Sequence, residues 1–413
     1  MTENATTDPQ SQYPYTPAMD HEHRVFMPWE DQRGHMAIAP DDRERFERLF
    51  DEHVEVGLHH GAQLAVYDDG ELVADLAGGI TGPEAEAEAV TPDQRFVFFS
   101  STKPLTGVCV HRLSEEGSLD YDDPVVEYWP EFADRGSSKA DVTIRHVLSH
   151  QGGFPVGEFD LRTDDWTDWD AVVAAMEEIE CSFEPGETAA YHPMNYGWVL
   201  GELVRRVTGT PIGEYVESTV FEPLEMDDTF LGLPEEVEDD VATLVAFDEF
   251  DRARDPERGL EGDNADAARN FNRESYHRAA MPAASCVGTA RDLARFYACF
   301  ANGGELDGTR VLEEETVERA TEVQVEVEQD GTLGVPSRYA MGFVRGGTTT
   351  GNYGTLSPSP VFGHAGLGSS VGWADPEGLA LAYVTNGIRE GYEHAARTSA
   401  MADAARRAFD RLD

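Results

Sequence analysis

The chain has 413 residues, of which 80 are Asp or Glu and 31 are Lys or Arg, giving a formal net charge of −49. That balance excludes a nucleic-acid partner, which needs a basic stripe to neutralise phosphates, and argues against docking on an anionic membrane surface. Apolar residues make up 40% of the chain, enough for a sizeable core in one large domain or two closely joined ones.

The carboxylates run the whole length, as in "PEAEAEAV", "PEEVEDDV" and "LEEETVERATEVQVEVEQD", so they read as a coated surface rather than an acidic tail. Such a surface repels itself in dilute buffer, whereas at molar salt the Debye length falls to about 3 Å and the repulsion is screened. Arginine outnumbers lysine 29 to two, and with the net charge this points to a salt-rich cytoplasm. Cys109, Cys181, Cys286 and Cys299 are far apart and form no C-x-x-C pair, so no disulfide framework or zinc site is expected. The start, "MTENATTDPQSQYPYTPAMDHEHRV", lacks the basic and apolar runs of a signal peptide, and no stretch approaches the roughly 20 apolar residues of a membrane span. A cytoplasmic location is therefore expected.

In chain order, residues 1–38 are polar and irregular and read as an N-terminal arm. "PDDRERFERLFDEHVEVGL" puts Phe46, Leu49, Phe50 and Val54 on one helical face after a Pro-Asp start. "AQLAVYDDGELVADLAGG" predicts a hairpin around Asp-Asp-Gly. "FVFF" leads into a helix carrying "STKPLTGVCVHRLSEEG", and further helices are predicted at 170–180, 195–208, 212–219 and 289–302. The acidic stretch 235–280 has no clear period and reads as an excursion. Strand signals return in "RYAMGFV", "PVFGHAG", "SSVGWADP" and "LALAYVTNG", before a final helix, "GYEHAARTSAMADAARRAFDRL". The economical arrangement is α+β: 39–116 and 285–413 build one mixed sheet with its helices, 117–284 form a mostly helical insert, and the site lies in the cleft between them.

One of the two lysines, Lys103, follows Ser100 by three residues in "SSTK". On a helix that spacing puts hydroxyl and amine on one face. A serine hydroxyl is a poor nucleophile until its proton is taken, and only the free amine of a lysine can take it. Burial disfavours the ammonium and supplies that form, which arginine effectively never reaches. The helix start beneath the serine offers free N–H groups for a developing negative charge. The bland alternative is a capping serine near a surface lysine. A surface otherwise almost stripped of lysine gives little reason to keep a solvated one.

The wider sequence resembles the serine hydrolases of the β-lactamase and penicillin-binding-protein superfamily, above all class C β-lactamases and family VIII carboxylesterases. The resemblance rests on "FVFFSSTKPLTG" with "EEGSLDYDDPVVEYWPEF", on "VTIRHVLSHQGGFP", on "EPGETAAYHPMNYGWVLGELVRRVTGTPIGEYV", and on "MPAASCVGTARDLARFYACFANGGELDGTRVL" with "VFGHAGLGSSVGWADPEGLALAYVTN". It implies a mainly antiparallel sheet flanked by helices and no cofactor. It also implies that Ser100 is the acylated nucleophile, Lys103 its base or proton relay, and Tyr191 of "YHP" a partner in proton transfer. Where the second motif usually ends in Asn this chain has Pro193, which removes an expected amide donor; Asn195 is a candidate replacement. The third motif, Lys-Thr-Gly in many β-lactamases, is His364-Ala365-Gly366 here. By analogy His364 faces the serine, the N–H groups of Ser100 and Leu367 form the oxyanion hole, and Gly366 lets the substrate approach closely.

The expected reaction is hydrolysis of small carboxylic esters through an acyl-serine. A β-lactamase or D-amino acid peptidase with the same chemistry is the alternative, and a catalytically inactive scaffold the alternative of another class. "GSSVG" around Ser370 matches the nucleophile elbow, but the following residues read as a strand hairpin where an elbow needs a helix. His146 and His150 in "RHVLSH" lack the glutamate of a zinc protease helix and read as structural, so no metal is expected. The partner is a small-molecule substrate.

Overall fold

The computed structural model describes residues 40–84, 86–247, 263–347, 351–356 and 361–409. The expected arm at 1–38 lies outside the described residues, as does the middle of the acidic excursion.

Helix α1 (Pro40–Glu55) begins at the Pro-Asp signal and buries Phe46, Phe50 and Val54. Strands β1 (Gly61–Asp68) and β2 (Glu71–Gly79) form the expected hairpin. Its turn residues, Asp69 and Gly70, both have positive φ, 48° and 84°, a combination an Asp-Gly pair tolerates. They continue into an eight-stranded sheet with β3 (Val325–Val327), β4 (Ser337–Tyr339), β5 (Val344–Arg345), β6 (Phe362–Gly366), β7 (Ser370–Ala374) and β8 (Leu379–Thr385), in the order β2-β1-β8-β7-β6-β5-β4-β3. Every pairing is antiparallel, so the sheet is not the mixed one expected from the element pattern. Turns and loops join β1 to β2 and each strand from β3 to β8 to the next, while residues 80–324 lie between β2 and β3.

One face of the sheet is covered by α1 and the final helix α7 (Gly391–Ala408), whose Met401 and Ala405 pack with Phe50, Trp373 and Leu381. Against the other face lie α2 (Lys103–Glu115) and α6 (Ala290–Ala301), the latter burying Leu293, Phe296 and Tyr297. Residues 117–247 add α3 (Trp169–Glu178), α4 (Asn195–Thr208) and several short turns of helix.

Part of the supposedly aperiodic excursion is ordered. Val245–Phe247 pairs in parallel with Gly387–Arg389, and α5 (Asp263–Phe271) sets the Phe271 ring 4.7 Å from Phe99. The acidic run before β4 also hides a strand: "VQVEV" alternates, and the charge pattern masked the period.

Neither lysine is on the surface. Lys139 is 6% exposed, and its Nζ donates to the carbonyls of Met176 (2.6 Å) and Glu177 (3.0 Å) in the last turn of α3. It lies 4.4 Å from the Phe132 ring centroid, and burial pushes its pKa down to about 8. The residual lysines of this chain are interior groups with fixed carbonyl partners, while surface cations are left to arginine, which can serve several carboxylates at once.

Candidate active site

Ser100 lies in a 3₁₀ turn, Phe99–Thr102, that runs directly into α2. A 3₁₀ turn eclipses residues i and i+3, which brings Ser100 and Lys103 together even more directly than an α-helix would. Phe99, just before the serine, has φ of +47°, a conformation disfavoured for a residue with a side chain. The Phe271 ring holds Phe99 from one side and β6 from another, so the surrounding packing enforces the turn that presents Ser100.

Lys103 is 0% exposed. Its Nζ lies 3.1 Å from Ser100 Oγ and donates to the carbonyls of Pro193 (2.7 Å) and Ala283 (3.1 Å). Burial drives its pKa well below the usual ammonium value. A neutral amine has two N–H bonds and one lone pair. The two carbonyls use both donors, and the lone pair is left for the serine O–H. Among the described residues no carboxylate is hydrogen-bonded to Lys103 to hold it as an ammonium.

Pro193 therefore alters the reading of the second motif. Among the described residues no side-chain amide is hydrogen-bonded to Lys103; the Pro193 backbone carbonyl itself accepts from Nζ. Asn195 is buried at the start of α4, and its Nδ2 donates to the carbonyls of Phe154 (2.8 Å) and Pro155 (3.4 Å). Its amide nitrogen is committed to that loop.

The Tyr191 ring lies 4.8 Å from Lys103 Nζ. Burial raises the phenol pKa, against a smaller pull from the nearby Ser100 side chain. The segment around Tyr191 has no regular structure and is fixed piecewise. Ala190 N–H donates to the His150 carbonyl (3.1 Å) and His192 N–H to His150 Nδ1 (3.0 Å). Both oxygens of buried Asp330 accept from Tyr191 N–H, at 3.1 and 3.0 Å. His146 belongs instead to a helix cap, where its Nδ1 accepts from Thr143 N–H at 3.2 Å. Each histidine thus has a structural partner of its own.

On β6, His364 Nδ1 donates to the Ala365 carbonyl at 2.8 Å, which leaves Nε2 as the acceptor. Nε2 is buried without a hydrogen-bond partner among the described residues, and the ring lies 5.9 Å from that of Tyr191. Burial, then the Lys103 charge, pushes the imidazole pKa down to about 3, so this position of the third motif is uncharged at neutral pH. Leu367 follows in the β6–β7 turn, 45% exposed.

Packing alone gives Gly366 a reason to be glycine. A Cβ there would lie 2.1 Å from the Phe98 carbonyl oxygen and 2.3 Å from Ser370 Oγ, so the space is filled by the backbone leading to Ser100. Gly366→Ala should cost about 1–3 kcal/mol of stability and lower kcat by pushing the serine turn away, readable as a lower melting temperature with slower ester cleavage. Unchanged melting and turnover would contradict this packing account.

Ser370 is no nucleophile in this arrangement. It sits on β7, 0% exposed, its Oγ 2.6 Å from the Phe98 carbonyl and 3.0 Å from Ser101 Oγ. Sequence reasoning missed Asp330, although "EQDGTLG" carries an Asp-Gly turn signal after alternating valines. It also missed the carbonyls of Pro193 and Ala283, which have no side-chain signature.

A family model described as "Beta-lactamase" matches residues 46–406. The esterase/beta-lactamase LipL of Mycobacterium tuberculosis is 36% identical over 347 residues, covering 79% of this chain and 77% of that protein. Among solved structures, a penicillin-binding-protein homologue from Caulobacter crescentus superposes with a TM-score of 0.75 at 31% identity, over 90% of this chain and 99% of that one. A family VIII carboxylesterase gives 0.75 at 29% identity over the same shares. With the family model matching residues 46–406 and a relative 36% identical over 79% of the chain, this chain belongs to the β-lactamase family.

Proposed function

We propose that the protein is a serine hydrolase that cleaves small, neutral carboxylic esters through an acyl-enzyme on Ser100. The observation that carries this is the Lys103 amine, buried, 3.1 Å from Ser100 Oγ, with both of its neutral-form N–H donors held by carbonyls. Lys103 takes the Ser100 proton as Oγ attacks the ester carbonyl carbon. The oxyanion that forms is held by the N–H groups of Ser100 and Leu367. As the intermediate collapses, the proton passes through the Lys103–Tyr191 pair to the leaving alkoxide. Water then attacks the acyl carbonyl, and the proton it loses returns along the same groups to restore Ser100.

The preference for esters rests on His364. Where many β-lactamases present a lysine, a neutral imidazole offers no cation to a β-lactam carboxylate. A neutral ester needs only nucleophile, base and oxyanion donors. Two of the relatives above carry "esterase" or "carboxylesterase" in their names, which supports the same choice. The carboxylate excess further supports work in a salt-rich cytoplasm.

The test compares p-nitrophenyl acetate and butyrate with nitrocefin in molar KCl at neutral pH. Ester turnover with nitrocefin at least about 10²-fold slower in kcat/KM is expected from the lost cation. Fast nitrocefin turnover beside negligible ester cleavage would reverse the assignment to a β-lactamase. If both substrates fail while a fluorophosphonate still labels Ser100, the reaction is that of an amidase or peptidase. If nothing labels Ser100, the chain is a scaffold.

A further inference from the structure

Asp330 is an unusual group to find behind a catalytic tyrosine. It is 1% exposed, and no hydrogen bond or ion pair links it to an Arg, Lys or His among the described residues. Instead it accepts from Tyr191 N–H with both oxygens, from the N–H groups of Thr332 (2.8 Å) and Leu333 (2.7 Å), and from the Tyr339 hydroxyl (2.8 Å). Tyr339 in turn stacks on the Tyr191 ring, with centroids 6.5 Å apart and planes 18° apart. The neighbouring Gly331 N–H donates to the Ala189 carbonyl at 3.2 Å, closing the turn onto the same segment. A buried carboxylate without a cation is costly unless several donors converge on it, and here the donors converge on Tyr191.

We propose that Asp330 is a positioning residue for the acyl-serine reaction: it fixes Tyr191 beside Ser100 and Lys103, gripping its backbone directly and its ring through Tyr339. The inference rests on the assignment of Ser100, Lys103 and Tyr191 above. It also accounts for how a tyrosine outside any helix or strand keeps one place. The polar, titratable and charged groups around Tyr191 are Ser100 in the 3₁₀ turn, Lys103 at the start of α2, His150, Tyr339 on β4, His364 on β6 and Asp330, with Tyr196 and Tyr353 close enough to influence it electrostatically. Among them Asp330 brings a negative charge, which holds the phenol protonated, in addition to burial. Tyr191 then passes a proton as a neutral phenol and leaves the role of base to Lys103.

The test uses the full chain in molar KCl, with Asp330→Ala and Asp330→Asn beside the unmodified protein. A fluorophosphonate counts reactive Ser100 sites, and kcat is expressed per labelled site. Asp330→Ala should lose about 10²-fold in kcat, with KM changed little, because a misplaced proton relay harms the chemical step more than binding. Asp330→Asn keeps an oxygen for the three N–H donors and an amide for the Tyr339 hydroxyl. It should recover kcat to within about 10-fold of the unmodified protein. Without the charge its phenol ionises more readily, so its activity should begin to fall at a lower alkaline pH. Unaltered kcat per site in Asp330→Ala would overturn the proposal. If that variant does not fold, an Asp330→Asn pH profile and kcat identical to the unmodified protein would overturn it instead. Failure of Ser100 to label in the unmodified protein would count against the assigned reaction, which keeps the two failures apart.

Discussion

Lys103→Met should fold and lose about 10³-fold or more in ester turnover, since the step that removes the serine proton then has no base. Methionine fills much of the same buried space without asking for the Pro193 and Ala283 carbonyls, though it leaves both unpaired. Lys103→Arg should be as inactive and less stable. A guanidinium cannot give up its proton, and at a site where nothing anionic among the described residues is hydrogen-bonded to the cation its charge is buried without compensation. Ser100→Ala should match Lys103→Met in residual rate, and the double variant should be no worse than either, because the two residues act as one unit. Additive losses would mean that they serve separate steps. In the unmodified protein, activity should rise with pH through the titration of Lys103. The active form is the amine, and burial places its pKa well below the usual 10.5. A rate that instead falls as the amine forms would sink the assignment of Lys103 as base.

Melting in 2 M KCl should occur at least about 10 °C above melting in dilute buffer, as the Debye length shrinks from about 30 Å at 0.01 M to a few Å. The arginines of this surface are shared among carboxylates. Arg206 reaches Glu131, Glu177 and Glu202; Arg291 reaches Asp75 and Asp93; Arg295 reaches Glu225 and Asp307. With 80 acidic residues against 31 basic ones, most carboxylates still repel their neighbours. Counter-ions must supply the rest of the screening, and the compact state suffers most when they are diluted. Sucrose strengthens burial without screening charge and should recover only a small part of the shift. Equal melting in the two buffers, or full recovery by sucrose, would exclude a salt requirement founded on surface charge.

The sequence by itself determined the surface charge and singled out the Ser100–Lys103 pair. Composition set the charge; period and turn residues set α1, the β1–β2 hairpin, the strands from β4 to β8 and α7; and the Ser100–Lys103 spacing pointed to the pair proposed above to react. These are local properties, readable within a few turns of chain. β3 was hidden because Glu326 and its neighbours looked like one more stretch of solvated charge. What only the tertiary structure decided is how that pair is buried and hydrogen-bonded. The two carbonyls that occupy the Lys103 donors come from 90 and 180 residues away and belong to a proline and an alanine, whose side chains carry no chemical signal. Gly366 was legible as a residue but not as a neighbour of the Phe98 backbone, and Asn195 was legible as an amide but not as the support of the Phe154–Pro155 loop. Asp330 was one acid among 80 until the fold buried it against Tyr191. Burial and backbone hydrogen bonding between distant segments are outcomes of packing, so a linear pattern of side chains does not encode them position by position.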